Sequence, residues 1–172
     1  LAVNTEDPCR IGTLADRHSS LEHLNDATKQ NLADIASLGL GAGIQAVRFL
    51  FPDWQYSGPP FKAAVETPGL NYAFGADGMF AGHGNPWTTL QFMVTGESFN
   101  GEDILTDDPL DRGSQQITLM EGLNGYTKNA AWFTREEHER GQLKAGAIDA
   151  ESAVRTNKIE NEARIEAAEK IQ

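Results

Sequence analysis

The stretch from Thr134 to Gln172 constrains this chain most, because it reads as one long helix that cannot stand alone. Thr134 and Glu137 have the form of a capping box, with Phe133 placed as a hydrophobic staple. Glu136–Arg140, Glu151–Arg155, Glu160–Arg164 and Glu166–Lys170 are acidic-to-basic pairs at i,i+4. Each adds only about 0.2–0.5 kcal/mol to an exposed helix. Leu143, Val154 and Ile165 are eleven apart, as are Ile148 and Ile159. That repeat corresponds to about 3.67 residues per turn, the period of a nearly straight or slightly right-handed bundle. Gly141 and Gly146 weaken the run by roughly 1 kcal/mol each. So thin a stripe needs a partner. The spacing therefore predicts an interface through Leu143, Ile148, Val154, Ile159 and Ile165, made to a helix near 20–38 or to copies of the chain.

The N-terminal half offers that helix. Ser19 and Glu22 form a second capping-box pattern. Leu21, Leu24, Leu32, Ile35 and Leu38 then recur mainly at three- and four-residue steps, with polar residues between. The pattern runs on into the apolar, glycine-punctuated stretch from Ile35 to Phe51. Gly39 and Gly43 make a GxxxG, which lets helices approach closely. Gln45 and Arg48 argue against a membrane span. The expectation is a buried, glycine-broken helix in which Gly39, Gly43, Ile44, Val47 and Phe51 pack tightly, with peripheral membrane contact as the alternative. The same glycines do not fit a dinucleotide fingerprint, and no Walker lysine follows.

Between Pro52 and Trp132, turn dipeptides such as Pro68-Gly69, Asp77-Gly78 and Asn85-Pro86 leave room only for short helices. Those are expected at Phe61–Glu66, Trp87–Thr95 and Ile117–Asn124. Aromatic residues spread through this stretch suit a segment that wraps another surface, with Trp54 and Trp87 as partner contacts. The fold expected is mainly α, a helical hairpin or bundle with a long C-terminal helix and a glycine- and aromatic-rich irregular middle. The organisation read from sequence is an extended segment 1–12, a body 13–132 and a helix 133–172.

Charge narrows the partners. Lys+Arg 14 against Asp+Glu 25 gives a net charge of -11, which excludes a phosphate-tracking surface, so no direct nucleic-acid binding is expected. Cys9 is the lone cysteine, so no intramolecular disulfide or multi-cysteine metal site forms. The N-terminal residues lack a basic and apolar leader, so a soluble chain without a signal peptide is expected.

Chemistry is faint. His18, His23, His83 and His138 form no HxxxH or HExxH pair, and only His83 falls in a loop able to line a pocket. Ser98 sits in a motif one residue too long for a nucleophile elbow. Asp103, Asp107, Asp108 and Asp111 belong to an acidic run from Glu97 onward, with the oxygen donors that calcium prefers but not the spacing of an EF-hand. The expectation is solvated loop acids, no catalytic residue and no cofactor, with a calcium site on these acids as the alternative. The alternative function is a cation-dependent hydrolase or lyase using loop 97–111 with His83.

Three stretches carry a resemblance: Ser37 to Trp54, Glu66 to Gly78, and Phe92 to Thr106. In order and style they resemble phage internal virion (ejection) proteins and the C-terminal parts of large phage polyvalent proteins. That resemblance implies a virion component packed with copies of itself or with other subunits, near a portal or crossing an envelope. It transfers no active-site residue. The function read from the sequence is thus a non-enzymatic assembly subunit of a phage particle.

Overall fold

A parallel sheet, and not a helical hairpin, organises the chain. The computed structural model describes residues 14–53, 58–78, 84–106, 110 and 112–142. The chain divides into two units, Leu1–Gly141 and Gln142–Gln172, and the elements named here belong to the first. Three strands, β1 (Ser20–Leu21), β2 (Gly41–Gln45) and β3 (Asn71–Gly75), pair in the order β1-β2-β3. Both pairings are parallel, with Ser20 opposite Gly41 and Ile44 opposite Phe74. Parallel neighbours need crossovers. These carry α1 (Lys29–Ser37) between β1 and β2 and α2 (Phe61–Glu66) between β2 and β3. After β3 come α3 (Pro86–Thr95), α4 (Leu119–Tyr126) and α5 (Lys128–Phe133).

The mainly α expectation is therefore corrected to α/β. Its error lies at 20–51. The helix there starts at Thr28, whose hydroxyl caps the Asn31 N–H while the Asn31 side chain returns the bond. Glu22 makes no such box; it accepts from the Ser20 hydroxyl at 2.9 Å. Gly39, at φ +66, takes the left-handed conformation that stops α1. The apolar residues beyond it are too few for a second helix and form β2, every residue of which is buried. A short apolar run bounded by glycine has no periodicity that separates buried strand from buried helix. The helices expected in the middle segment form at or within two residues of their predicted bounds, but β3 lies between them.

Side chains alternate across the strands and give the sheet two unlike faces. Ala42, Ile44 and Phe74 face the core, where Leu32, Phe61 and Phe92 are fully buried. Phe61 meets Phe74 edge-on at 5.2 Å and Phe92 at 6.1 Å. The other face of β2 is floored by Gly41 and Gly43. Trp132 and Phe133 stand where a side chain at Gly41 would go, and the Glu22 carboxylate where one at Gly43 would go. His18 stacks flat on Trp132 at 4.3 Å and donates from Nδ1 to its carbonyl at 2.6 Å.

Two polar devices tie the helices down. Pro60 gives α2 no side-chain cap, so the Ala63 N–H donates across the chain to Gln115 Oε1 at 3.0 Å. Gln115 is 1% exposed, and its Nε2 donates to the Gly113 carbonyl at 2.9 Å. Gln115→Ala leaves a buried helix-start donor without its acceptor. We expect urea denaturation to show a loss of about 1–3 kcal/mol with an unchanged m-value. At α4, Glu121 accepts from the Thr118 N–H, which holds its carboxyl below the usual glutamate range.

The chain turns at Thr134, where a long helix was expected to start. The Thr134 hydroxyl donates back to the Ala131 carbonyl at 3.1 Å, closing the last turn of α5. The helix stripe from Leu143 to Ile165 lies outside the described residues, as do Trp54 and His83. Among the described residues no helix is long and apolar enough to cross a membrane.

Candidate functional site

All three strands run the same way, so their carboxyl ends share one rim. In open parallel sheets that rim is where ligands bind, because the loops leaving it are free of the ladder. His23 follows β1 and Asp77 follows β3. Both residues adopt left-handed backbone conformations, His23 at φ 61 and Asp77 at φ 49. A non-glycine residue there costs on the order of 1–3 kcal/mol and persists only when its surroundings over-determine it. Here the result is a pair: His23 Nε2 stands 3.6 Å from Asp77 Oδ2.

The two side chains are reachable, His23 at 68% and Asp77 at 35% exposure. So open an ion pair contributes little to stability, and strain at both positions is not repaid by that contact. They sit at the edge of a cavity of about 640 Å³ whose walls include Leu21, Leu24, Ile35 and Val47, with Asn25 and Asp26 beside His23. The loop carrying His23 is pinned on both sides. The Leu24 N–H reaches the Gly43 carbonyl at 3.4 Å, and the Asn25 N–H turns back to the His23 carbonyl at 2.9 Å.

Imidazole and carboxylate are suitable donors for a zinc-like ion. Ligand distances of about 2.0–2.2 Å put two donors on one tetrahedral ion roughly 3.3–3.6 Å apart, and the 3.6 Å separation lies at the upper end of that range. The pair therefore fits two positions of a divalent coordination shell. Among the described residues no group of three or more His, Cys, Asp or Glu side chains completes one.

The acids expected to hold calcium fare differently. Asp103 spends its carboxylate on its own turn: Oδ1 accepts from the Leu105 and Thr106 N–H groups at 3.1 Å, and Oδ2 from the Thr106 hydroxyl. The hydroxyl bond chiefly holds its carboxyl below the usual aspartate range. Asp107, Asp108 and Asp111 lie outside the described residues. Trp87 stands 64% exposed near the start of α3, and Phe51 is 39% exposed. Gly39 ends α1, Gly43 and Ile44 lie in β2, and Val47 opens a single 3-10 turn, Val47–Phe49.

His23 and Asp77 were not singled out by sequence. His23 was placed on a helix and Asp77 was read as turn punctuation. The usable signal was positional: each follows a short run, Ser20–Leu21 or Asn71–Gly75, that becomes a parallel strand.

Comparison with known proteins adds a family. A model described as the amidohydrolase family matches residues 10–148. A solved structure, an uncharacterized metal-dependent hydrolase from Pyrococcus furiosus, is similar with a TM-score of 0.53 and 18% identity. The similarity covers 74% of this chain and 26% of that one, so the chain spans about a quarter of its length. None of the curated proteins matches. These findings overturn the phage resemblance and, with it, the non-enzymatic virion subunit. The hydrolase that stood as the alternative is the better-supported reading. The expectation of no cofactor is overturned too, by the amidohydrolase family match together with the likeness to a structure described as a metal-dependent hydrolase.

Proposed function

We propose a hydrolase function for this chain, which belongs to the amidohydrolase family. The reaction is cation-assisted hydrolysis, of an amide-type bond if the family name describes this chain's substrate. One observation carries the reading: His23 Nε2 and Asp77 Oδ2 converge to 3.6 Å at the shared carboxyl rim of parallel strands.

His23 would hold a divalent ion through Nε2, and Asp77 through one carboxylate oxygen. An ion so held supplies Lewis-acid polarisation and a bound water that ionises near neutral pH. Asp77 keeps a second oxygen, which can take and return a proton at the rim. The backbone conformations of both residues turn their side chains toward one another before any ligand arrives. The apolar walls from Leu21 and Leu24 favour a substrate with a hydrocarbon portion and limit competing water.

The direct test is calorimetric titration of Zn²⁺ into the metal-stripped full chain. A saturable site of one ion per chain, with proton release on binding, is the expected result. Absence of saturable heat, with folded protein by circular dichroism, overturns the reading.

A further inference from the structure

Arg112 is buried at 4% exposure, beyond anything its place in a polar connecting segment requires. A guanidinium taken out of water must have its donors satisfied. Those acceptors lie far off in sequence: Nη1 donates to the Ala27 carbonyl at 2.9 Å and to the Asn25 carbonyl at 3.4 Å, and Nη2 donates to the Gly58 carbonyl at 2.8 Å. One side chain thus fastens the turn that directly follows His23 to the segment leading into α2.

That turn holds itself only in part, through the Ala27 N–H donating to the Leu24 carbonyl at 3.3 Å. Asn25 is 9% exposed, and its Oδ1 is buried with no hydrogen-bond partner in the described structure. An unsatisfied acceptor of this kind favours opening the turn to water. Opening would release the Asn25 N–H from the His23 carbonyl, the bond that closes the backbone just past the left-handed residue. The guanidinium opposes this because its donors form a rigid planar fork that fixes several carbonyls at once. Lysine has the charge without the fork.

We propose that Arg112 is a positioning residue for His23: it clamps the 25–27 turn and so sets the His23–Asp77 separation that a cation site needs. The proposal rests on the hydrolase reading of that pair. It is tested on the full chain with Zn²⁺ calorimetry, at a temperature where circular dichroism shows each variant folded. Arg112→Ala should weaken Zn²⁺ binding about 10–100-fold, the range of outer-shell partners. Millimolar guanidinium should restore a good part of that affinity to Arg112→Ala and none to His23→Ala. Arg112→Lys should bind about tenfold more weakly than the unaltered chain, and this variant carries the test if Arg112→Ala does not fold.

Wild-type affinity in either folded Arg112 variant, while His23→Ala has lost binding, overturns the clamp and leaves the hydrolase reading standing. A loss in Arg112→Ala that guanidinium leaves unchanged marks general loosening and also overturns the clamp. Wild-type affinity in His23→Ala overturns the hydrolase reading itself.

Discussion

His23→Ala is expected to reduce Zn²⁺ affinity by at least about 100-fold, beyond the 10–100-fold typical of partners outside the ligand shell. The size of the effect follows from how few donors the described residues contribute. His23 and Asp77 are two positions of a shell that usually has four, so each removal takes half of the protein's identified share. Asp77→Ala should act similarly on affinity. Asp77→Asn separates the roles of the carboxylate, because the amide keeps an oxygen that can face the ion but cannot take a proton. In that variant we expect binding to fall less than in Asp77→Ala, while any hydrolytic rate falls at least as far, by roughly 10²-fold or more. The paired titrations and rates of the three variants check this. Equal affinity in His23→Ala and the unaltered chain would show that the pair is an incidental surface contact.

Neither substitution should cost much stability. The two side chains are exposed, their ion pair is weak, and both backbones are held in a left-handed region that histidine and aspartate only tolerate. His23→Gly is informative here, because glycine occupies φ 61 without strain. A variant that gains thermal stability while losing Zn²⁺ binding would show that strain at this residue is retained for function.

The sequence made the short helices legible and hid the sheet, for a physical reason. Phe61–Glu66 and Pro86–Thr95 are bounded by prolines and glycines that fix where a helix can begin or stop. The strands have no comparable markers. β2 reads Gly-Ala-Gly-Ile-Gln, buried on both faces, so it lacks the polar alternation that identifies a half-exposed strand. Gly41 and Gly43 resembled a helix-packing motif, but what approaches them is Trp132, Phe133 and the Glu22 carboxylate. Once β1 is read into a helix near 20–38 and β2 into a glycine-broken helix to 51, His23 falls in a helical turn and its relation to Asp77, which needs two crossovers to form, cannot be seen. The charge balance and the motif search describe what the surface repels more than what the rim holds.

Phe61→Ala should cost about 3–5 kcal/mol, the largest stability loss expected of any single change in the core. Phe61 is fully buried and makes edge-on contacts with Phe74 of β3 and Phe92 of α3, so its ring joins the sheet to two helices. Each aromatic pair adds about 0.5–1.5 kcal/mol beyond the area it buries, and neither neighbour can reach across the gap without leaving its own element. Phe61→Leu keeps most of the volume and should lose markedly less. Urea denaturation followed by tryptophan fluorescence checks both, with a lowered midpoint and an unchanged slope. Against a total stability of about 5–15 kcal/mol for an ordinary domain, the alanine variant lies close to unfolding. This makes it a sensitive reporter of the rim. Zn²⁺ at 100 times its dissociation constant should return about 2.7 kcal/mol to Phe61→Ala, because the ion binds only the folded chain. The same ion concentration should return no more than about 0.4 kcal/mol to the double variant with His23→Ala, whose core defect is identical. A full rescue that survives the loss of His23 would place the bound ion elsewhere in the molecule.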